Sequence, residues 1–139
     1  MADHVRSQIR EEIYSLLKNL SLTGCRVYKN RVYPIADLPG IIIYNGNEES
    51  EQDIIGARNF ARNFEIKIEG YAKSDDDLDE IAKKVEAALT DQTLGGLSKD
   101  LTLISSEFDF SDGEEPSGVI TMTYLINYRT TLNAPDIAL

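Results

Sequence analysis

Cysteine, histidine and basic residues are scarce in this 139-residue sequence. The only cysteine is Cys25, so an intrachain disulfide and a zinc site built from Cys and His are excluded by count. The only histidine is His4, near the N-terminus, where a nucleophilic device of the Ser-His-Asp or Cys-His type would lack a fixed base. We therefore predict no catalytic residues, no metal site and no cofactor, and we expect the protein not to be an enzyme.

Long apolar runs are also missing. Residues 1–20 carry charges every few positions, and no segment approaches the core of a signal peptide or the length of a membrane span. We expect no association with a membrane. At this length we expect residues 1–139 to form a single domain.

Basic residues are outnumbered, with 14 Lys and Arg against 24 Asp and Glu and a net charge of −10. A field of that sign repels phosphate backbones, so specific nucleic-acid binding is not expected. The charge permits basic proteins as partners.

Residues 64–89 contain the clearest pattern in the chain. Apolar and charged residues alternate over 64–69, which predicts a half-buried strand. After Gly70 the apolar period becomes helical, and Ser74 followed by the acidic run 75–77 is typical of a helix N-terminus. The helical apolar positions are Leu78, Ile81, Ala82, Val85, Ala88 and Leu89.

The acidic residues of this helix also have the spacing of a calcium-binding loop. Asp75, Asp77, Asp79 and Glu86 match ligand positions one, three, five and twelve. The sixth position is Glu80, where such a loop needs glycine, and the apolar period specifies a continuous helix. We therefore interpret the acidic run as a helix cap.

The rest of the chain supplies partners for this strand and helix. We predict a helix over 3–20, two short strand-like pieces within 25–34 and a central strand at 41–44, buried on both faces. Residues 101–110 and 119–129 read as a long C-terminal β-hairpin, and 130–139 as a flexible tail.

Two features of the hairpin are predicted in more detail. Ile104, Phe108 and Phe110 are expected to share one face of its first strand, and its return strand is long enough for part of it to project beyond the domain. The predicted fold is α+β, with a mixed or mainly antiparallel sheet of four or more strands and two amphipathic helices on one face.

Residues 45–59 lose all periodicity and are predicted to be a long loop. Two interpretations stay open: a solvated connection between strands, or a loop that contacts a partner, since Ile54 and Ile55 lie in acidic surroundings. A second candidate contact segment is the turn 112–117. The predicted contact residues are Glu48, Glu49, Glu51, Ile54, Ile55, Asp112, Glu114 and Glu115.

Several short sequence segments and the order of the predicted elements resemble one protein family. The segments are ADHVR at 2–6, RVYP at 31–34, LPG at 38–40, NEESE at 47–51, LGGLSKDL at 94–101 and the strand 124–129. Together they are similar to the tail terminator proteins of long-tailed bacteriophages and prophages, of the minor tail protein U type.

The resemblance implies a structural role. Such proteins form a ring, usually of six subunits, on the end of a finished tail tube, stop its polymerisation and provide the surface that joins tail to head. The implied partners are further copies of the chain, the tail tube protein and the head-tail connector protein. The implied location is the host cytoplasm during assembly and then the virion tail. The alternative, suggested by charge and size, is a small acidic inhibitor or immunity-type module that binds one basic protein.

The substitution Ile55→Asp tests the contact interpretation of the acidic loop. If this residue contacts a partner, the variant loses association but keeps the circular-dichroism spectrum and melting temperature of the wild type, because a charge at an exposed position leaves the core intact. Loss of folding would instead place Ile55 in the core.

Overall fold

The computed structural model describes residues 4–18, 26–28, 40–52, 59–90, 94, 96–97, 100–111, 117–131, 135 and 137. Its elements are α1 (Val5–Leu17), β1 (Arg26–Tyr28), β2 (Gly40–Gln52), β3 (Asn59–Ala72), α2 (Asp75–Leu89), β4 (Asp100–Ser111) and β5 (Ser117–Thr131). The described strands form one sheet in the order β1-β2-β3-β5-β4, in which only the β1 and β2 pair is parallel. The predicted α+β fold with a mixed, mainly antiparallel sheet is confirmed.

Both helices form where an apolar stripe repeats every three or four residues. The buried residues are Val5, Ile9, Ile13 and Leu17 on α1 and Leu78, Ile81, Val85 and Leu89 on α2. The predicted cap of α2 is confirmed, since the Ser74 hydroxyl accepts a hydrogen bond of 3.2 Å from the Asp77 amide and three aspartates occupy the first turn. The helix predicted over 3–20 is observed at Val5–Leu17; residues 1–3 and 19–20 lie outside the described residues.

The two helices pack on one face of the sheet, as predicted. Alternate residues of β3 and β5 point toward them and pair across the ladder. These residues, together with both helical stripes, form one apolar cluster. Its strand members include Ile41, Ile43, Phe64, Ile66, Ile68, Ile120, Met122, Tyr124, Ile126 and Tyr128.

One prediction about β2 is confirmed and another needs correction. Residues 41–43 are fully buried and β2 pairs with a strand on each side, as expected of a central strand, although β3 is the middle one of the five described strands. The loop prediction for 45–59 is wrong as far as Gln52, because β2 continues to that residue and pairs with the first half of β3. A register shift between Asn45 and Glu48 interrupts the alternation, which is why the sequence shows no strand period there. Residues 53–58 lie outside the described residues.

The predicted C-terminal hairpin is formed by β4 and β5, but its details differ. Ile104 does not share a face with Phe108 and Phe110, because it lies unpaired at a register shift between Leu103 and Ser105. The return strand β5 does not project, since its inward residues are buried from Ile120 to Tyr128. The exposed strand is β4, as described below.

The prediction of a flexible tail over 130–139 is wrong for its first two residues. Thr130 and Thr131 belong to β5, and the Pro135 carbonyl accepts a hydrogen bond of 2.9 Å from the Val5 amide at the start of α1. The second strand-like piece predicted within 25–34 lies outside the described residues, which include only 26–28 of that segment.

At Gly70 the sheet packs tightly against α2. A Cβ added to Gly70 would lie 2.8 Å from Cγ2 of Ile81 and 3.1 Å from Cγ2 of Ile120. Glycine is therefore favoured here, because a side chain would overlap the Ile81 side chain of α2 unless that side chain shifted.

The substitution Gly70→Ala is expected to lower the free energy of unfolding by about 1–3 kcal/mol, since the extra methyl overpacks the contact between α2 and β3. Chemical denaturation measures this loss. In the background of Ile81→Ala, which removes the overlapping Cγ2 atom, the same change is expected to cost at least about 1 kcal/mol less. Equal costs in both backgrounds would show that the contact does not limit packing.

Candidate functional site

A partly buried polar cluster lies where α1 meets the sheet, and its centre is Glu48. Oε2 of Glu48 accepts hydrogen bonds from Arg6 at 2.6 Å and from Arg62 at 3.3 Å, and Oε1 accepts one from the Tyr128 hydroxyl. The side chains of Glu48 and Arg62 are 10% and 11% exposed. These four residues, which we call the Glu48 cluster, connect α1, β2, β3 and β5.

Arg62 has further partners beyond this carboxylate. Its Nε donates to the Thr130 hydroxyl at 3.0 Å, and its guanidinium lies 5.8 Å from the centre of the Tyr128 ring. One terminal nitrogen lies 3.4 Å from Nε2 of His4, whose Nδ1 accepts a 3.1 Å hydrogen bond from the Arg6 amide. His4 is therefore the N-cap of α1, and not the mobile surface residue that its position near the N-terminus suggests.

The cluster favours protonated tyrosine over phenolate. Burial, and then the hydrogen bond to Glu48, raise the pKa of Tyr128 well above its usual range. Burial, and then the nearby Glu86 carboxylate, raise the pKa of Tyr124 in the same way. At neutral pH both phenols are protonated, and the Tyr128 hydroxyl donates a hydrogen bond to Glu48, which suits a structural role.

A second polar group lies on the opposite face of the sheet. The Glu69 carboxylate accepts hydrogen bonds from the hydroxyls of Tyr44 and Tyr71, and the Lys67 ammonium donates to the Thr123 hydroxyl at 2.8 Å. Glu69 and Thr123 are both buried. The face away from the helices therefore has satisfied polar groups close to its apolar residues, as buried polar groups require.

Within the described part of the chain, no three His, Cys, Asp or Glu side chains are grouped so that they could hold a metal ion. The acidic residues with calcium-loop spacing belong to the continuous helix α2. None of the described helices has the length and apolar character needed to cross a membrane.

The predicted contact residues fall into three groups. Glu48 is used within the subunit, by the cluster that bears its name. Glu49 and Glu51 are exposed on the far end of β2, where it pairs with β3. Ile54, Ile55, Asp112, Glu114 and Glu115 lie outside the described residues.

The strand ends that flank the two predicted contact segments lie at opposite ends of the sheet. Phe60, near the start of β3, pairs with Thr130, whereas Ala72, at its end, pairs with Gly118. The twelve-residue separation along β5 corresponds to roughly 40 Å at the rise of an extended strand. The fold thus separates the strand ends that lead into these segments.

The most exposed element is the edge strand β4. From Ile104 to Asp109 every side chain is exposed, on both faces of the strand. Ile104 is 47% and Phe108 is 57% exposed, although Phe108 pairs with the buried Ile120. An edge strand with exposed large apolar side chains is typical of a surface that another molecule covers.

Sequence reasoning missed most of the Glu48 cluster. Arg62 lies two residues before Phe64, so it occupies an inward position of β3, and a cation at such a position requires a buried partner. That alternation was visible in the sequence and indicated a buried salt bridge. The identity of the partner was not visible, because Glu48 lies beyond the register shift in β2.

One comparison with known proteins defines the class of this chain, the minor tail proteins of phages, and supports a structural role in the phage tail. The family model described as phage minor tail protein U matches residues 4–128, and the chain therefore belongs to that family. The family resemblance inferred from short sequence segments is confirmed.

One solved structure is similar in fold, a chain in the virion of a native gene transfer agent particle. Its TM-score is 0.48 at 12% sequence identity, and the match covers 85% of this chain and 92% of that chain. No curated protein sequence matches this chain significantly.

Removal of the central carboxylate tests the Glu48 cluster. We expect Glu48→Ala to lower the free energy of unfolding by about 1–3 kcal/mol, because the Arg6 and Arg62 guanidinium groups and the Tyr128 hydroxyl each lose a partly buried hydrogen bond. The matched control is Glu49→Ala, one residue away and exposed, which is expected to change stability by less than about 0.5 kcal/mol. Similar melting curves for the two variants would contradict the structural role of the cluster.

Proposed function

We propose that this protein caps the finished tail tube as a ring of six subunits, terminates tube polymerisation and provides the surface to which the head joins. The observation that carries the proposal is membership of the phage minor tail protein U family across residues 4–128. The tail tube protein and the head-tail connector protein are the proposed partners.

The position of the predicted contact segments is compatible with this role. A terminator has to meet the tube with one surface and the head side with another. The strand ends that lead into 53–58 and 112–116 lie at opposite ends of the sheet, so one chain can present two separate contact regions. We assign these two regions to the two axial partners, and Glu49 and Glu51 to the first of them.

The exposed strand β4 supports self-association. A closed ring needs a heterologous interface, in which one surface patch meets a different patch on the neighbour. Burial of Ile104 and Phe108, about half exposed in the single chain, would contribute roughly 1–2 kcal/mol each to such an interface.

The negative charge of the chain is compatible with a passage for DNA. A bore with a net negative lining repels phosphate and lets DNA slide without sticking. The same charge of −10 suits the alternative function, an acidic inhibitor that binds one basic protein. The two functions differ in stoichiometry, so mass in solution separates them.

Light scattering over a concentration series, with and without magnesium, tests ring formation. A ring of six has a mass of about 93 kDa, six times the 15.5 kDa of one chain. Tube assembly tests termination: electron microscopy of purified tail tube protein is expected to show shorter tubes with capped ends when this protein is added. Unchanged tube lengths, together with a monomer at every concentration, would contradict the proposal.

A further inference from the structure

We propose that the start of α1 is a pH-sensitive latch, in which neutral His4 holds the first turn of the helix and the chain at Pro135 in place, and protonation of His4 in mildly acidic solution releases both. The inference concerns the fold of one chain and is independent of the proposed ring. It rests on the contacts of His4 and of its neighbour Val5.

Histidine is the residue type that responds to mild acid. An imidazole in solution gains a proton below about pH 6.5, and no other side chain ordinarily changes charge between about pH 5 and 8. His4 is the only histidine in the chain. A structural change that follows imidazole protonation therefore has to begin at this residue.

His4 caps α1 through a nitrogen that protonation would occupy. Its Nδ1 accepts a 3.1 Å hydrogen bond from the Arg6 amide, one of the helix donors that an N-cap side chain ordinarily satisfies. This bond needs an unprotonated Nδ1, so the ring is neutral when the cap is formed. A ring with a second proton is a donor at both nitrogens, and the Arg6 amide then loses this acceptor.

The charges around the ring also oppose protonation. Nε2 of His4 lies 3.4 Å from a terminal nitrogen of Arg62 on β3, and Arg6 on α1 adds a second cation. Glu48 on β2 supplies a negative charge, but both guanidinium groups and the Tyr128 hydroxyl of β5 already donate to it. These described surroundings are net positive, and the positive end of the helix dipole has the same sign.

The first turn of α1 is also where the chain at Pro135 is attached. The Val5 amide, directly after the cap residue, donates a 2.9 Å hydrogen bond to the Pro135 carbonyl. If the cap is lost and the first turn opens, Val5 leaves the position from which it donates. The opening is expected to be local, because Ile9, Ile13 and Leu17 bury the rest of the helix against the core.

The sign of the pH effect follows from these contacts. In the unfolded chain the imidazole is surrounded by water and loses no hydrogen bond on protonation. In the folded chain protonation removes the cap and adds repulsion from Arg62. The stability that His4 contributes is therefore present above about pH 6.5 and is lost as pH falls below it.

The experiment compares the wild type with His4→Asn from about pH 8 to about pH 5. Asparagine keeps a capping acceptor but does not titrate, so the two proteins share the other pH-dependent contributions. Chemical denaturation at matched protein concentration measures both unfolding equilibrium constants. As pH falls, we expect the constant of the wild type to rise at least about threefold more than that of His4→Asn.

Amide hydrogen exchange locates the effect along the chain. After correction for the intrinsic pH dependence of exchange, the Val5 and Arg6 amides of the wild type are expected to lose at least about threefold in protection, whereas the Ile13 amide keeps its protection. The NMR signal of the single imidazole reports its protonation in the same samples. If His4→Asn does not fold, His4→Ser, another capping residue, replaces it.

Each outcome decides the proposal. Losses of stability and of protection at Val5 and Arg6 that follow the imidazole signal, and that His4→Asn does not show, support the latch. Parallel behaviour of the two proteins overturns it, and an equal loss of protection at Ile13 overturns the local release. A wild type that gains stability relative to His4→Asn as pH falls also overturns it, because a carboxylate would then dominate around the ring.

Discussion

The width of two helices limits how much of the sheet this chain can cover. A helix with its side chains is about 10 Å wide and strands are about 4.8 Å apart, so each helix covers about two strands. α1 lies over β1 and β2, and α2 lies over β3 and β5. No helix packs on β4, the last strand in the sheet order. This explains why Phe108 is 57% exposed while its ladder partner Ile120 is 1% exposed.

The limited width of the helices also determines where the Glu48 cluster lies. Beyond the apolar layer, Arg62 takes the inward position of β3 that precedes Phe64, and charged and hydroxyl groups fill the space between α1 and the sheet. A buried ion pair is often no more stable than apolar residues of the same volume. Its clearer effect is on position, because one carboxylate fixes the start of α1 relative to β2, β3 and β5.

These two features have different consequences for assembly. The Glu48 cluster is satisfied within one chain, so Glu48, one of the predicted contact residues, is used internally. β4 is left incomplete, and its acidic side chains discourage pairing with an identical edge.

The sequence by itself determined the elements whose pattern depends on near neighbours. The stripes of α1 and α2, the Ser74 cap and the inward faces of β3 and β5 all repeat over two to four residues, so they were predictable, and so was the α+β class. The family could also be identified from the sequence, because the segments that carry the resemblance are each a few consecutive residues long.

Only the tertiary structure decided the features that depend on pairing between segments far apart in the sequence. The central position of β3, the extension of β2 past its register shift and the unpaired Ile104 are set by hydrogen bonds between strands. Glu48 meets residues 42 and 14 positions away in the chain. The physical reason is that periodicity reports which face of an element is apolar, whereas strand order, bulges and ion-pair partners depend on which segments meet in space.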